Sequence, residues 1–330
     1  MKLLPGVLAC VAVAIVATVL GTRLPVVGGA VFAIAIGLLI GLVVAALRAP
    51  SAAMKPGIAF SSKWLLQVSI VLLGANLSIG RVIASGARSM PVTIVTLVLV
   101  LLVAFVVGKL LGIDRDLRRL LGVGTGICGG SAIAAVSSAI DADGADIAYA
   151  MSTIFLFNVI AVLTFPWLGH VMNLSQHAFG LWAGTAINDT SSVVAAGYAY
   201  GHDAGDEAVI VKLTRTLLII PLVGFYAYRR IVAARGAGAG AVDWWSVLPW
   251  FVLFFAAAAA INGFGLIPEA AHGPLQTLAL FCITVALAGV GLSADYAKMR
   301  SAGLRPLLLG FILWATIAVS SLGVARLIGL

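Results

Sequence analysis

The stretch GTAINDTSSVVAAG, residues 184–197, places Asn188, Asp189, Thr190, Ser191 and Ser192 between two strongly apolar segments. A carboxylate in such a place caps a helix, pairs with a buried cation, or takes up and releases a proton or cation. A cationic neighbour is required, and one short loop downstream AVIVKLTRTLLIIPLV carries Lys212 and Arg215 inside an apolar run. At positions i and i+3 they share one helix face. A charge at mid-helix costs roughly 2.5–3.5 kcal/mol in a bilayer, so such residues face protein or a water-filled cavity unless they snorkel to the surface. Lys212, about five residues into the run, can snorkel, whereas Arg215, about eight residues in, is harder to rescue. A third feature is Gly122, Gly124, Gly126, Gly129 and Gly130, close enough together to weaken a continuous helix by about 1 kcal/mol each. They serve close helix packing, or they mark an unwound segment near mid-membrane. In the second case the half-helix that follows aims free N–H groups and a positive dipole inward, the outline of an anion site lined by Thr125, Gly126, Cys128, Gly129 and Ser131. Cys128 taken alone also fits as a small packing residue.

The elements that must position these groups are membrane helices. The 330 residues are 62% hydrophobic and only 10% charged, with a mean hydropathy of +1.16, more apolar surface than a soluble core of this size can hide. A span needs roughly 20 apolar residues. Candidates lie near 6–22, 28–47, 64–80, 91–112, 120–140, 147–168, 178–199, 207–228, 244–262, 274–292 and 306–326. These eleven make an all-α polytopic membrane protein, a single transporter domain over residues 1–330, with 120–140 and 178–199 as candidate broken helices that either cross or turn back. The loop RRIVAARGAGAGAVD reads as a linker. The opening MKLLPGVLAC runs apolar well past Cys10, which favours a retained helix over a cleaved signal. Cys10, Cys128 and Cys282 sit in separate segments without metal-ligand spacing and imply neither disulfide nor zinc.

Charge sets the orientation. Alternate loops collect Lys2; Arg48, Lys55 and Lys63; Lys109, Arg115, Arg118 and Arg119; Arg229, Arg230 and Arg235; and Lys298, Arg300 and Arg305. The opposite loops hold only Arg23, Arg81, Arg88 and Arg326. This asymmetry puts the N-terminus in the cytoplasm and the C-terminus outside, and the count is the same whether 120–140 and 178–199 cross or turn back. The net charge of +8 is thus an orientation signal, and a nucleic-acid partner is not expected.

Two self-matches suggest duplication. An offset of 215 residues lays LLGANLSIG (72–80) on LAGVGLSAD (287–295), so that hairpins 64–112 and 280–328 form a candidate inverted repeat. An offset of 60 lays GTGICGGSAIAA (124–135) on GTAINDTSSVVA (184–195). If both of these segments simply span, they lie two crossings apart, the wrong parity for an inverted pair.

KPGIAFSSKWLLQVSIVLLGANLSI, GTGICGGSAIAA, GTAINDTSSVVAAG and AVIVKLTRTLLIIPL, in that order and over nearly the whole chain, resemble the bacterial inner-membrane family named for sulfate export, the YeiH-like proteins. The resemblance implies a fold related to sodium/proton antiporters and bile-acid symporters, with inverted repeats, discontinuous helices near mid-membrane and no organic cofactor. It lays the small polar break on Thr125, Cys128, Gly129 and Ser131, the acidic motif on Asp189 and the basic pair on Lys212 and Arg215. Asn188 and Ser192 stand where many relatives carry His and Gln, and Gln67 stands where Arg is common. Asn cannot titrate as His does, so proton coupling is not expected at that position.

The function expected is a secondary transporter of a small anion such as sulfate or a sulfonate. Thr125, Gly126, Cys128, Gly129, Ser131, Asn188, Thr190, Ser191, Lys212 and Arg215 hold the anion, and Asp189 couples to a proton or sodium ion. The alternative is a cation antiporter built on Asn188–Asp189, and an anion channel is a further option. Enzymatic activity is not expected, because His170, His177, His202 and His272 fall in loops without metal spacing and no nucleophile is marked with a base. The expected partners are the anion and the bilayer, with a homodimer allowed.

Overall fold

A computed structural model describes residues 3–23, 28–46, 53–233, 248–293 and 304–329, and every regular element among them is helical. In chain order these are α1 (Leu4–Arg23), α2 (Gly28–Ala46), α3 (Lys55–Gly74), α4 (Ile79–Leu110), α5 (Arg115–Gly126), α6 (Gly130–Ile140) and α7 (Gly144–Val171). The rest are α8 (Gln176–Ala186), α9 (Thr190–Tyr200), α10 (His202–Thr216), α11 (Ile219–Ala233), α12 (Trp250–Gly263), α13 (Glu269–Leu292) and α14 (Leu304–Leu327). Seven helical stretches among the described residues are long and apolar enough to cross a membrane: α1, α3, α4, α7, α13, α14 and the joined α10–α11.

Several boundaries differ from the sequence expectation, for local reasons. α3 begins at Lys55 rather than near 64, because Pro56 suits a first helical turn and Gly57 lets α1 approach closely. A Cβ on Gly57 would stand 2.1 Å from the carbonyl oxygen of Leu3. α4 begins at Ile79 rather than near 91, since Ser78 accepts a hydrogen bond from the N–H of Arg81 and starts the helix there. The expected linker is helical through Ala233, and its remainder lies outside the described residues. Residues 294–303 of the second candidate repeat hairpin also lie outside them. The four histidines, expected in loops, occupy first or last turns of helices α7, α8, α10 and α13.

Of the eleven expected spans, 120–140 and 178–199 turn back. α8 runs parallel to α10, with Gly180 against Ala204 and Glu207 and Gly184 against Ala208 and Val211. α9 runs antiparallel to α10, with Gly197 against Gly205 and Ala208. α8 and α9 are therefore antiparallel, and their outer ends meet: Tyr200 stacks on Phe179, and the N–H of Ala204 donates to Gln176. α5 and α6 likewise return to one face. Asp146, in the first turn of α7, lies within electrostatic range of Asp114 and Asp116 at the start of α5. Between the two hairpins runs α7, 28 residues and thus about 42 Å long, so their bases lie at opposite faces. One intervening crossing also removes the parity objection to the offset of 60.

Burial divides most of the helices between two large apolar cores, beside a small cluster of Val92, Leu181, Val211 and Ala325. The first gathers α5 to α9, α11, α14 and the C-terminal half of α4; the second gathers α1, α2, α3, α12 and α13. α9 and α10 face both, with Ala196 and Ala208 in the first core and Val194 and Val209 in the second. Trp182 anchors the first core, stacking on Phe165 with centroids 4.2 Å apart and donating from Nε1 to the carbonyl of Ala318 in α14. Such ring pairs contribute about 0.5–1.5 kcal/mol beyond the area they bury.

Sided labelling tests the turn-backs. In a background lacking the three native cysteines, Arg115→Cys and Asp143→Cys are expected to react with an impermeant maleimide from one face. Ser175→Cys and His202→Cys should react from the other. Labelling of positions 115 and 143 from opposite faces would show that the segment crosses.

Candidate functional site

The two hairpin tips meet at the centre of the first core. The chain leaves α5 at Ile127 and enters α6 through Gly129, whose φ of +67° and ψ of −127° fall where only glycine sits without strain. A Cβ there would lie 3.6 Å from the N–H nitrogen of Asp189 and 3.7 Å from the carbonyl carbon of Asn188. Ile127–Cys128–Gly129 therefore packs against Ile187–Asn188–Asp189, the positions that the offset of 60 superposes.

This arrangement brings two helix C-termini together. Each ends in carbonyls without intrahelical partners and carries a partial negative charge. Lys212 and Arg215, both fully buried on α10, lie between them. Nζ of Lys212 donates to the carbonyls of Ile127 and Ile187, 2.9 Å from each. Nε of Arg215 donates to the carbonyl of Gly126 at 2.8 Å, and its terminal nitrogens donate to the carbonyls of Thr125 and Thr185. Ile127 with Ile187, and Thr125 with Thr185, are equivalent under the offset. The basic pair thus closes both hairpins symmetrically, and among the described residues neither cation has a carboxylate within salt-bridge range.

The two N-termini at the tips are unlike. Asp189 caps α9, its Oδ2 accepting from the N–H of Ser191 at 2.9 Å, from the N–H of Ser192 at 3.4 Å and from the Ser191 hydroxyl. Asn158 of α7 accepts the N–H groups of Asn188 and Asp189, 3.1 and 3.2 Å away. α6 has Gly129 in the capping position and no side-chain cap. Gly130 borders open space, and Ser131, whose hydroxyl donates to Sγ of Cys128 at 2.9 Å, is exposed. Asn188 is fully buried with both amide atoms unpartnered, and the buried hydroxyl of Thr125 is unpartnered as well. Buried polar groups are almost always bonded, and these three are among nine unpartnered buried side-chain atoms of the described residues. Thr190 is half-buried at the α9 end of the same junction.

Two sets of polar residues escaped the sequence reading. Asn158 carried one usable signal, a lone amide within an apolar span. Asp206 and Glu207 are buried near the base of the second hairpin, where Arg81 and the Tyr198 hydroxyl bond Asp206 and the Ser85 hydroxyl donates to Glu207. The carboxylates of Asp203 and Asp206 and the His202 ring lie within 4.8 Å of one another, with Arg81 already paired to both acids. In the run HDAGDE, His202 and Asp203 stay exposed, while packing of α4, α8 and α9 on α10 buries Asp206 and Glu207.

Substitutions at the junction have contrasting expected effects on thermal unfolding in detergent. Lys212→Met strips two carbonyls of a charged donor and should cost about 3 kcal/mol or more, at roughly 1.5–3 kcal/mol for each such bond. Asp189→Asn keeps a capping oxygen and should cost under about 1 kcal/mol, whereas Asp189→Ala should cost about 0.5–2 kcal/mol. An unchanged midpoint for Lys212→Met would remove the bridging role.

A family model described as conserved hypothetical protein 698 matches residues 5–310. UPF0324 membrane proteins are similar along their whole length: 40% identity in Streptococcus mutans over 99% of this chain and 98% of that protein, and 37% in Clostridium tetani over 98% and 97%. The one from Fusobacterium nucleatum is 39% identical over 98% of each chain. No solved structure matches. With a family model matched over residues 5–310 and relatives matched over nearly their whole length, the chain belongs to the UPF0324 family of membrane proteins.

Proposed function

We propose that this protein is a secondary carrier of a small anion, with the uncapped N-terminus of α6 as the seat of the anion. The observation that carries the proposal is the inequality of the two tips. Asp189 supplies an anionic cap to α9, while the equivalent position before α6 is Gly129, which offers no side-chain cap to the first turn of α6, beside open space at Gly130, the exposed Ser131 and the unpartnered Asn188 junction. A sulfate or sulfonate oxygen accepts from such donors. Lys212 and Arg215 act behind the tips, holding the hairpins together and supplying fixed positive charge rather than direct contacts. No catalytic step is proposed.

In this reading alternating access uses the two cores: the first carries the tips, the second packs against α9 and α10, and rocking one on the other would expose the junction to either face. The charge asymmetry supports a bacterial inner membrane with the N-terminus cytoplasmic. Asp189 is the candidate coupling group. A second reading rests on its carboxylate, which uses one oxygen for capping and leaves Oδ1 without a partner among the described residues, so that Asn188 and Asp189 would hold a sodium ion or proton in an antiporter.

Flux into proteoliposomes separates the two. An anion carrier shows saturable, countertransport-sensitive uptake of sulfate or a sulfonate. Ser131→Ala should raise KM about fivefold, one hydrogen bond's worth, and Asn188→Asp, which sets a negative charge at the seat, should abolish uptake. Sodium/proton exchange without any anion, lost in Asp189→Asn, would overturn the anion reading.

A further inference from the structure

A cleft of about 270 Å³ opens on the periphery of the first core, away from the hairpin tips, between the C-terminal half of α4, the start of α5 and the middle of α11. Arg115, Arg118, Arg119 and Arg229 line it. Only Arg119 has a carboxylate, that of Asp116 at 2.9 Å; the other three have none within salt-bridge range among the described residues. Three guanidinium groups are instead held by rings: Arg118 over Phe105 at 5.7 Å, Arg119 over Tyr226 at 5.6 Å and Arg229 over Phe225 at 6.0 Å. At Arg118 and Arg229 stacking fixes the group while leaving its charge and most of its donors unused. The stem of Arg118 also lies against Gly108, where an added Cβ would stand 2.6 Å from its Cγ and Cδ.

The cleft floor is apolar, formed by Leu101 and Ala104, and its border is an exposed apolar surface. Phe105 is 60% exposed, Leu102 56% and Phe225 53%. Unpaired, pre-positioned arginines above a lipid-facing apolar surface match a phosphate attached to acyl chains better than a free ion, whose hydration the apolar border would not replace. All lining elements belong to the first core, so the cleft lies off any route between the two cores. We propose that it binds an anionic phospholipid, its phosphate among Arg115, Arg118 and Arg229 and its chains along α4 and α11.

The full-length protein in detergent, examined by native mass spectrometry and by thermal unfolding at fixed ionic strength, tests this with tetraoleoyl cardiolipin, dioleoyl phosphatidylglycerol, dioleoyl phosphatidylcholine and sodium phosphate. The anionic lipids should remain bound and raise the unfolding midpoint, while phosphatidylcholine and sodium phosphate should not. Arg118→Gln and Arg229→Gln should each weaken anionic-lipid binding about fivefold, as roughly 1 kcal/mol per basic residue near an anionic lipid implies, and the pair about 25-fold. Arg88→Gln, on another part of α4, should change nothing. Equal retention of phosphatidylcholine, undiminished binding in the double variant, or equal stabilisation by sodium phosphate would each overturn the proposal. If a glutamine variant fails to fold, Arg229→Lys takes its place and should keep the preference for anionic over zwitterionic lipid; loss of the preference there would count against a charge-based site.

Discussion

Two helix C-termini do not meet inside a membrane unless something positive stands between them. In this protein α5 and α8 point their unpaired carbonyls at one another, and the ammonium of Lys212 and the guanidinium of Arg215 take five of those carbonyls. Without the pair, both breaks would leave unsatisfied acceptors and two negative dipole ends in a water-poor interior, each a cost of several kcal/mol. The hairpins can turn back at mid-membrane because α10 delivers both cations on one face, three residues apart. The other features of the junction, from the bend at Gly129 to the capping by Asp189, presuppose this closure.

The pseudo-symmetry of the bridge makes the asymmetry of the N-termini informative. The same fold geometry yields two helix starts, and the chain supplies an internal anion, Asp189, to one and a glycine to the other. Since a helix start favours negative charge, α9 is satisfied from within, whereas the chain supplies no such charge at the cap of α6. The unpartnered amide of Asn188 lies in the tip between them, one residue before Asp189 and against Gly129.

Around the junction the burial pattern separates two apolar cores. The first core encloses both hairpins with close ring packing, as in the Phe165–Trp182 stack. The second core meets it through the α9–α10 pair, whose small residues allow close approach on both sides. A displacement between the cores would therefore be felt first at α9 and at the tip it leaves.

Much of this was legible in the chain. Composition alone decided membrane residence, because so apolar a sequence has no other solvent in which to fold, and glycine density with the offset of 60 located both breaks to within a few residues. Asp189, Lys212 and Arg215 stood out because charge is costly where they sit. What the sequence left open is whether 120–140 and 178–199 cross or turn back: the breaks look the same either way, and loop charge counts are unchanged by it. It also left open what the cations face, since an arginine aimed at a substrate and one aimed at a carbonyl have the same spacing and hydropathy. Tertiary structure decided both, through the parallel packing of α8 on α10 and the meeting of two carbonyl ends that lie some sixty residues apart, a proximity that no local pattern encodes.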